Sequence, residues 1–276
     1  MKRTKPKQSG CLIFNPHWTK VEERKLGGKM MELTILGYWG GYPTRNGGTS
    51  SYLIESDGYH LWLDAGSASL IALENHIDPL DIDAVLISHY HHDHIADLGV
   101  FQFTRQLKGI GENRATIVPI YGHEEDKENF DRLTMDRVSK GIAYRENEAF
   151  TVGPFEITAM KTLHPVPCFA LRIEEVSTGK VLVFTADSGY LEGFIPFSKH
   201  ADLLLADTNF FHGMENHRVH MTATEVGRIA KEAQVKKLVL THLPQQGDLD
   251  LLKEQAAAEF GSQEVLLAEK DLLITI

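Results

Sequence analysis

The segment Ser88-His89-Tyr90-His91-His92-Asp93-His94 decides how this chain is read. Of the six residues from 89 to 94, four are histidine and one is aspartate. Just before them, Ala84–Ile87 is a short apolar run of the kind that forms a buried strand. Just after them, Ile95–Leu107 carries apolar residues at Ile95, Leu98, Phe101 and Phe103 and is expected to be helical. The cluster therefore falls in a loop at a strand end, where a rigid base holds functional side chains. Residues two apart in an extended chain point the same way, so His89 and His91 can grip one ion together. Asp93 and His94 stand where the helix opens and can turn toward a second ion. Imidazole nitrogen and carboxylate oxygen are ligands that zinc accepts, and manganese or iron also fit. His92 is out of step with that spacing and is read as non-ligating.

Outward from this segment, short apolar runs alternate with amphipathic ones. Strands are expected at Glu32–Leu36, Tyr52–Glu55, His60–Leu63, Ile117–Tyr121, Phe155–Met160, Ala170–Glu174 and Val181–Phe184. Further strands are expected at Leu203–Leu205, Leu238–Leu240, Val265–Ala268 and Leu272–Ile276. Asp57-Gly58 marks a hairpin, Thr178-Gly179 a second turn, and Gly37–Ser51 a turn-rich stretch. Glu124–Met135, Thr222–Ala233 and Leu249–Phe260 read as helices. Glu225 sits near the start of its helix, as the dipole prefers. Mixed elements over about 245 residues predict a layered α/β architecture with one site.

Composition narrows the class. The chain has 276 residues, 42% of them hydrophobic and 24% charged, which excludes a disordered or collagen-like chain. No apolar run reaches the ~18 residues that a membrane-crossing helix needs. The net charge of −10 divides unevenly. Met1–Lys29 holds eight Lys and Arg against two Glu, about +6, which leaves about −16 for the remainder. Such a body argues against a general nucleic-acid binder. Residues 1–30 are expected to be a flexible basic extension; the alternative is an arm that touches a phosphate-bearing substrate or a partner subunit. The catalytic domain is expected to span 31–276. Two cysteines, Cys11 and Cys168, build no disulfide framework, and the head lacks a signal peptide's apolar core. A reducing, cytoplasmic setting is the expectation.

The histidine segment resembles the His-x-His-x-Asp-His signature of the metallo-β-lactamase fold. Later landmarks follow in that fold's order, over nearly everything after Met31. Thr162-Leu163-His164-Pro165 resembles its lone third histidine, and Phe184-Thr185-Ala186-Asp187-Ser188-Gly189 its bridging aspartate. Leu240-Thr241-His242-Leu243 resembles its last histidine, and Leu63-Asp64-Ala65-Gly66 the Asp-x-Gly turn that supports the metal loops. The resemblance implies a four-layer αββα sandwich and two divalent ions, zinc above all. His89, His91 and His164 would hold one ion, Asp93, His94 and His242 the other, and Asp187 would bridge them. Asp64 would orient loops, and Asp93 would also orient the nucleophile. A single His-Pro or a single Asp after a strand is an ordinary turn feature; their joint occurrence in order carries the reading.

Two divalent ions close together acidify water and polarise the bond under attack, so the implied activity is hydrolysis. Three features bear on the substrate. His220-Met221-Thr222-Ala223 resembles a motif of the phosphodiesterase branch, which includes ribonuclease Z and the cyclic-phosphate phosphodiesterases. There the histidine helps the leaving oxygen depart. Leu205-Ala206-Asp207-Thr208 resembles the segment whose acid pairs with that histidine, with Asp in place of the usual Glu. Gly37–Asn46 leading to Ser50-Ser51 resembles the opening of the same branch, with Arg45 expected to add positive charge near the phosphate. Short bacterial ribonuclease Z carries a tRNA-binding arm between its third histidine and the bridging aspartate. Here only 23 positions separate Asp187 from His164, and Phe169–Phe184 reads as a tight hairpin. A small phosphodiester, such as a cyclic nucleotide or cyclic sugar phosphate, is therefore the expected substrate.

Other readings compete with that one. Precursor-tRNA processing without the arm is the runner-up. Thioester hydrolysis is disfavoured by His220 and by the 34 residues that remain after His242. β-Lactam hydrolysis is disfavoured because those enzymes are exported. An inactive metal-bound binding module is disfavoured by the intact Asp93. No membrane partner is expected, and a homodimer is expected only because the family often forms one. Cys168 is read as a small buried residue and not as a ligand.

Overall fold

The computed structural model describes residues 30–114, 116–261 and 264–276, so the expectation for the basic head lies outside the described residues. The chain opens with β1 (Glu32–Trp39), β2 (Gly48–Thr49), β3 (Ser51–Ser56) and β4 (Tyr59–Ala65). Asp57 and Gly58 take φ of 53° and 76°, the left-handed pair that lets a two-residue turn match the twist of β3 and β4. β1 runs past the expected Leu36 because Gly37 and Trp39 pair with Gly48 and Thr49. A Cβ on Gly37 would stand 1.9 Å from the Thr49 carbonyl oxygen, so this close approach requires glycine. Next come α1 (Ser69–Leu73), β5 (Ala84–Leu86), α2 (His92–Ile95), α3 (Leu98–Gly111), β6 (Val118–His123), α4 (Lys127–Asp131) and β7 (Ser139–Tyr144).

The second half contains β8 (Phe150–Val152), β9 (Phe155–Lys161), β10 (Phe169–Glu175) and β11 (Lys180–Phe184). After these come α5 (Phe194–Phe197), β12 (Leu203–Asp207), α6 (Ala223–Glu232), β13 (Lys237–Thr241) and α7 (Leu249–Phe260). β14 (Glu264–Leu267) and β15 (Leu273–Thr275) close the described chain. One sheet has the order β15-β1-β3-β4-β5-β6-β7, with β2 on β1; the other runs β14-β13-β12-β11-β10-β9-β8. The runs β4-β5-β6-β7 and β11-β12-β13-β14 are parallel, as is the short β1-β2 pair; the hairpin pairs and the β1-β15 pair, which joins the two ends of the described chain, are antiparallel.

Burial explains the stacking. Tyr52, Ile54, Leu61 and Leu63 share one core with Leu171, Ile173, Leu182 and Leu204 of the other sheet. The alternate residues Leu53 and Trp62 point away and join Leu98 and Phe101 of α3 in a second core. Both faces of these strands are thus covered, so they read as continuous apolar runs. On the far side Val226 and Ile229 of α6 and Leu252 of α7 cap the second sheet. The layers run α-β-β-α, as the sequence led us to expect. Phe101 is fully buried against Trp62, with ring centroids 5.0 Å apart. Phe101→Ala is expected to cost about 3–5 kcal/mol in urea unfolding; a loss under 1 kcal/mol would contradict this packing.

Several local expectations need correction. The helix after the histidines breaks at Ala96-Asp97, because the Asp97 carboxylate accepts from Leu70 N at 2.9 Å and its own N–H donates to Ala65 O. Phe103 is exposed, along with Val100, Leu107 and Ile110; α3 buries Leu98, Phe101, Gln102 and Arg105 instead. Of the helix expected at Glu124–Met135, only Lys127–Asp131 forms. Glu225 does more than face a dipole: with Thr222 it makes a capping box. Among the described residues, no helix is long and apolar enough to cross a membrane.

Candidate metal centre

The histidines and aspartates gather at strand ends from both sheets. His89 and His91 follow β5, and Asp93 and His94 lie in α2. His164 follows β9, Asp187 follows β11, and His242 follows β13. Backbone turns aim them. Asp64, Ala186 and His242 take φ of 53°, 51° and 52°, a left-handed conformation that costs a non-glycine residue roughly 1–2 kcal/mol. Gly66 lies under α2, where a Cβ would meet Asp93 O at 2.3 Å and Thr49 Oγ1 at 2.4 Å.

Two ligand sets share the Asp187 carboxylate, and a third, Asp187, Asp207, His220 and His242, overlaps the second of them. His89, His91, His164 and Asp187 bring one ligand atom each within 4.8 Å of one another, and Asp93, His94, Asp187 and His242 do the same. His91 Nδ1 lies 3.1 Å from His89 Nε2 and 3.0 Å from His164 Nε2. Three imidazole nitrogens converging on a point suit a cation. His94 Nε2 and Asp187 Oδ1 are buried and, though 3.2 Å apart, are not aligned for a hydrogen bond. Buried polar atoms without partners are costly, and a divalent ion would satisfy both. The donor set, imidazole nitrogen with carboxylate oxygen, fits zinc-type ions.

The other ring nitrogens are held from behind. His94 Nδ1 donates to Asp64 Oδ2 at 2.7 Å, and Asp64 also accepts from Ser88 N and Oγ, each at 2.8 Å. Asp64, His94 and Ser88 are all fully buried. His164 Nδ1 donates to Val219 O at 3.1 Å, and His89 Nδ1 meets Ser88 Oγ at 3.1 Å. The contacts on His94, His164 and His89 hold those rings and leave the facing nitrogens for an ion. His242 Nδ1 lies 3.4 Å from Asp207 Oδ1 but is not aligned for a hydrogen bond to it. Gly41 N donates to Asp93 Oδ2 at 2.8 Å, so the glycine-rich loop steadies that carboxylate.

His220 stands beside both sets. Its ring centroid is 4.8 Å from that of His242 and 5.7 Å from that of His164. Nδ1 donates to Asp207 Oδ2 at 2.8 Å, which leaves Nε2 as the ring nitrogen that this carboxylate does not engage. Burial would lower the His220 pKa, but Asp207 outweighs it and the group is held above its ordinary value. Asp207 is fully buried and also accepts from Ser188 N at 3.0 Å. Burial would raise the Asp187 carboxyl; His242 and His94 hold it well below the usual range. Burial lowers His89, His91 and His164, whereas the nearby carboxylates overcome burial at His94 and His242 and raise them. The two sets thus sit in different fields.

The structure brings together His89, His91, Asp93, His94, His164, Asp187, Asp207, His220 and His242. His92 is exposed and outside the cluster, and Cys168 is buried with its thiol on Asp187 O at 3.4 Å. Arg45 lines a separate cavity of about 140 Å³ with Asn46, Ile71 and Lys270, a cavity that none of the cluster residues lines. Sequence reading missed Gly41 N, Val219 O and the Tyr144 hydroxyl, which donates to Ile87 O at 2.8 Å and Ser88 O at 3.2 Å. Two of these three are backbone groups, which carry no residue signature.

Comparison with known proteins agrees with this geometry. A family model described as "Beta-lactamase superfamily domain" matches residues 63–243. The Bacillus subtilis protein named "Probable metallo-hydrolase YhfI" is 46% identical over 235 residues, 84% of this chain and 95% of that protein. The crystal structure of the metallo-β-lactamase fold protein YhfI from Bacillus subtilis superposes with a TM-score of 0.84. It is 44% identical, over 90% of this chain and 100% of that one. Human tRNase Z, short form, superposes with a TM-score of 0.69 at 22% identity, over 88% of this chain and 98% of that one.

Proposed function

This chain belongs to the metallo-β-lactamase fold superfamily, and from that premise we propose that it is a metal-dependent hydrolase acting on a small phosphodiester. The observation that carries the phosphodiester reading is the His220–Asp207 pair at 2.8 Å, set against both ligand sets. His89, His91 and His164 would hold one ion, Asp93, His94 and His242 the other, and Asp187 both. Two bound divalent ions would supply acidified water and an electrophile for the bond under attack. Asp93, steadied by Gly41, orients the nucleophile and accepts its proton. His220 donates a proton from Nε2 to the leaving oxygen, and Asp207 stabilises the imidazolium before transfer. Its raised pKa favours the protonated form that this role requires.

Substrate size follows from the short connection between His164 and Asp187. β10 and β11 fill it as a hairpin closed at Val176–Gly179. That leaves no protruding arm there to grip a folded RNA, and the acidic body offers little to a polyanion. A cyclic nucleotide or cyclic sugar phosphate suits such a site. The test is turnover of the zinc-loaded protein on bis(p-nitrophenyl) phosphate, cyclic nucleotides, a cyclic ribose phosphate, a precursor tRNA and a thioester. Turnover of the small phosphodiesters is the expected outcome. Cleavage of the precursor tRNA alone would favour the RNA-processing reading, and thioester turnover alone would defeat both.

A further inference from the structure

We propose that this chain carries a second ligand site, separate from the metal cluster: a cavity built on His123 that takes a free organic polyamine.

The cavity has a volume of about 410 Å³ and lies where β6 ends at His123 and β7 ends at Tyr144. None of the residues gathered in the metal cluster lines it. His123 and Phe169, each 1% exposed, and Tyr144, at 3%, form its floor. That floor is fixed from beneath. The Tyr144 hydroxyl and Phe169 N donate to Ser88 O at 3.2 and 3.3 Å, and the Tyr90 hydroxyl donates to His123 O at 2.7 Å. Around the floor stand four exposed carboxylates, Glu124, Glu125, Glu146 and Glu148, and one guanidinium, Arg145.

His123 is the feature that asks for a ligand. Among the described residues, neither of its ring nitrogens has a hydrogen-bond partner. The Pro167 carbonyl raises its pKa without being aligned for a bond, and burial outweighs this and pushes the group down to about 4. The ring is therefore neutral near pH 7, with one nitrogen as an acceptor. Tyr90 and Phe169 hold it, with ring centroids 4.5 and 5.0 Å away. A buried polar atom without a partner is costly, so a donor that reaches it is bound favourably.

Carboxylates around an acceptor nitrogen repel anions and call for a cation that donates N–H. A single metal ion fits poorly: among the described residues, the groups able to hold one include none of these side chains, so their ligand atoms do not converge on one point. A polyamine spans them. One ammonium donates to His123, a second lies among the glutamates, and the methylenes between them rest on the aromatic floor. The glutamates are free to exchange partners. Glu125 pairs with Lys161, and Arg145 stands 3.8 Å from Glu124 and 4.0 Å from Glu148. Exposed pairs of this kind are worth little and yield to a ligand's charge.

The test is calorimetric titration of the zinc-loaded full chain with spermidine and, separately, with magnesium chloride. One spermidine per chain with a dissociation constant below about 1 mM is expected. The double variant Glu146→Gln with Glu148→Gln, both exposed, should weaken it by about tenfold or more. His123→Phe keeps a ring in the floor and should weaken it comparably. A control that removes two exposed charges elsewhere, Asp136→Asn with Glu254→Gln, should bind as the parent does. No binding of spermidine, equal weakening in the control, or saturable binding of magnesium alone would overturn the site. None of these readouts measures turnover, so failure here leaves the reading of the metal cluster untouched.

Discussion

His220→Ala is expected to lower phosphodiester turnover by about 10²–10⁴ while leaving the ion content of the chain unchanged. The separation of the two readouts comes from geometry. Nδ1 of His220 is engaged with Asp207 at 2.8 Å, and Nε2 is directed away from that carboxylate. The ring lies against His164 and His242 but hydrogen-bonds to neither. Val219 O holds the His164 ring, and the Asn209 amide holds the His242 backbone by donating to its O at 2.8 Å. Removing the ring therefore deletes a proton donor without unseating a ligand. Steady-state turnover on bis(p-nitrophenyl) phosphate, read beside elemental analysis of the same sample, checks this. Unchanged turnover would remove the main support for the phosphodiester reading. Asp207→Asn is a poorer probe of the same step, because Asp207 also faces His242.

Asp187→Ala is expected to bring the chain to less than one ion at saturating zinc and turnover to background. Asp187 belongs to both ligand sets and is almost completely buried, with no solvent to replace it. Its removal also leaves His89, His94, His164 and His242 facing one another without their shared counter-charge. Asp187→Asn keeps the volume and should give the same ion count, which separates ligand loss from a packing defect. Circular dichroism should report an intact fold for Asp187→Asn. Two ions per chain in either variant would show that the carboxylate does not join the two positions.

How far the sequence could be read depended on where the information lay. The seven candidate ligand residues stand out because they follow apolar strands or, for Asp93 and His94, open the helix after one, and the residue types are rare in that setting. α7 was expected at Leu249–Phe260 and forms over that range. By contrast β7, Ser139–Tyr144, escaped notice: Ser-Lys-Gly-Ile-Ala-Tyr has no clear alternation, and pairing with β6 makes it a strand. The break at Ala96-Asp97 was illegible because Asp97 is bound to residues far away in sequence, Ala65 and Leu70. Exposure of Phe103 was equally hidden, since α3 carries apolar residues on two opposite faces and spacing alone does not say which face is buried. At the centre, Asp64 was read as a general support. Only the structure shows that its carboxylate accepts from His94 Nδ1 and from Ser88 N and Oγ.

The drawing of ligands from strand ends in both sheets has a kinetic consequence. His89 and His242 are separated by about 150 residues, and closing so long a loop is a slow, non-local event. His89, His91, Asp93 and His94 leave the ribosome long before β13 positions His242 and β15 completes the first sheet. On its own that early segment lacks His164, Asp187 and His242, which later strands supply. Any ion held by the complete cluster therefore meets it late in maturation, after β13 has placed His242.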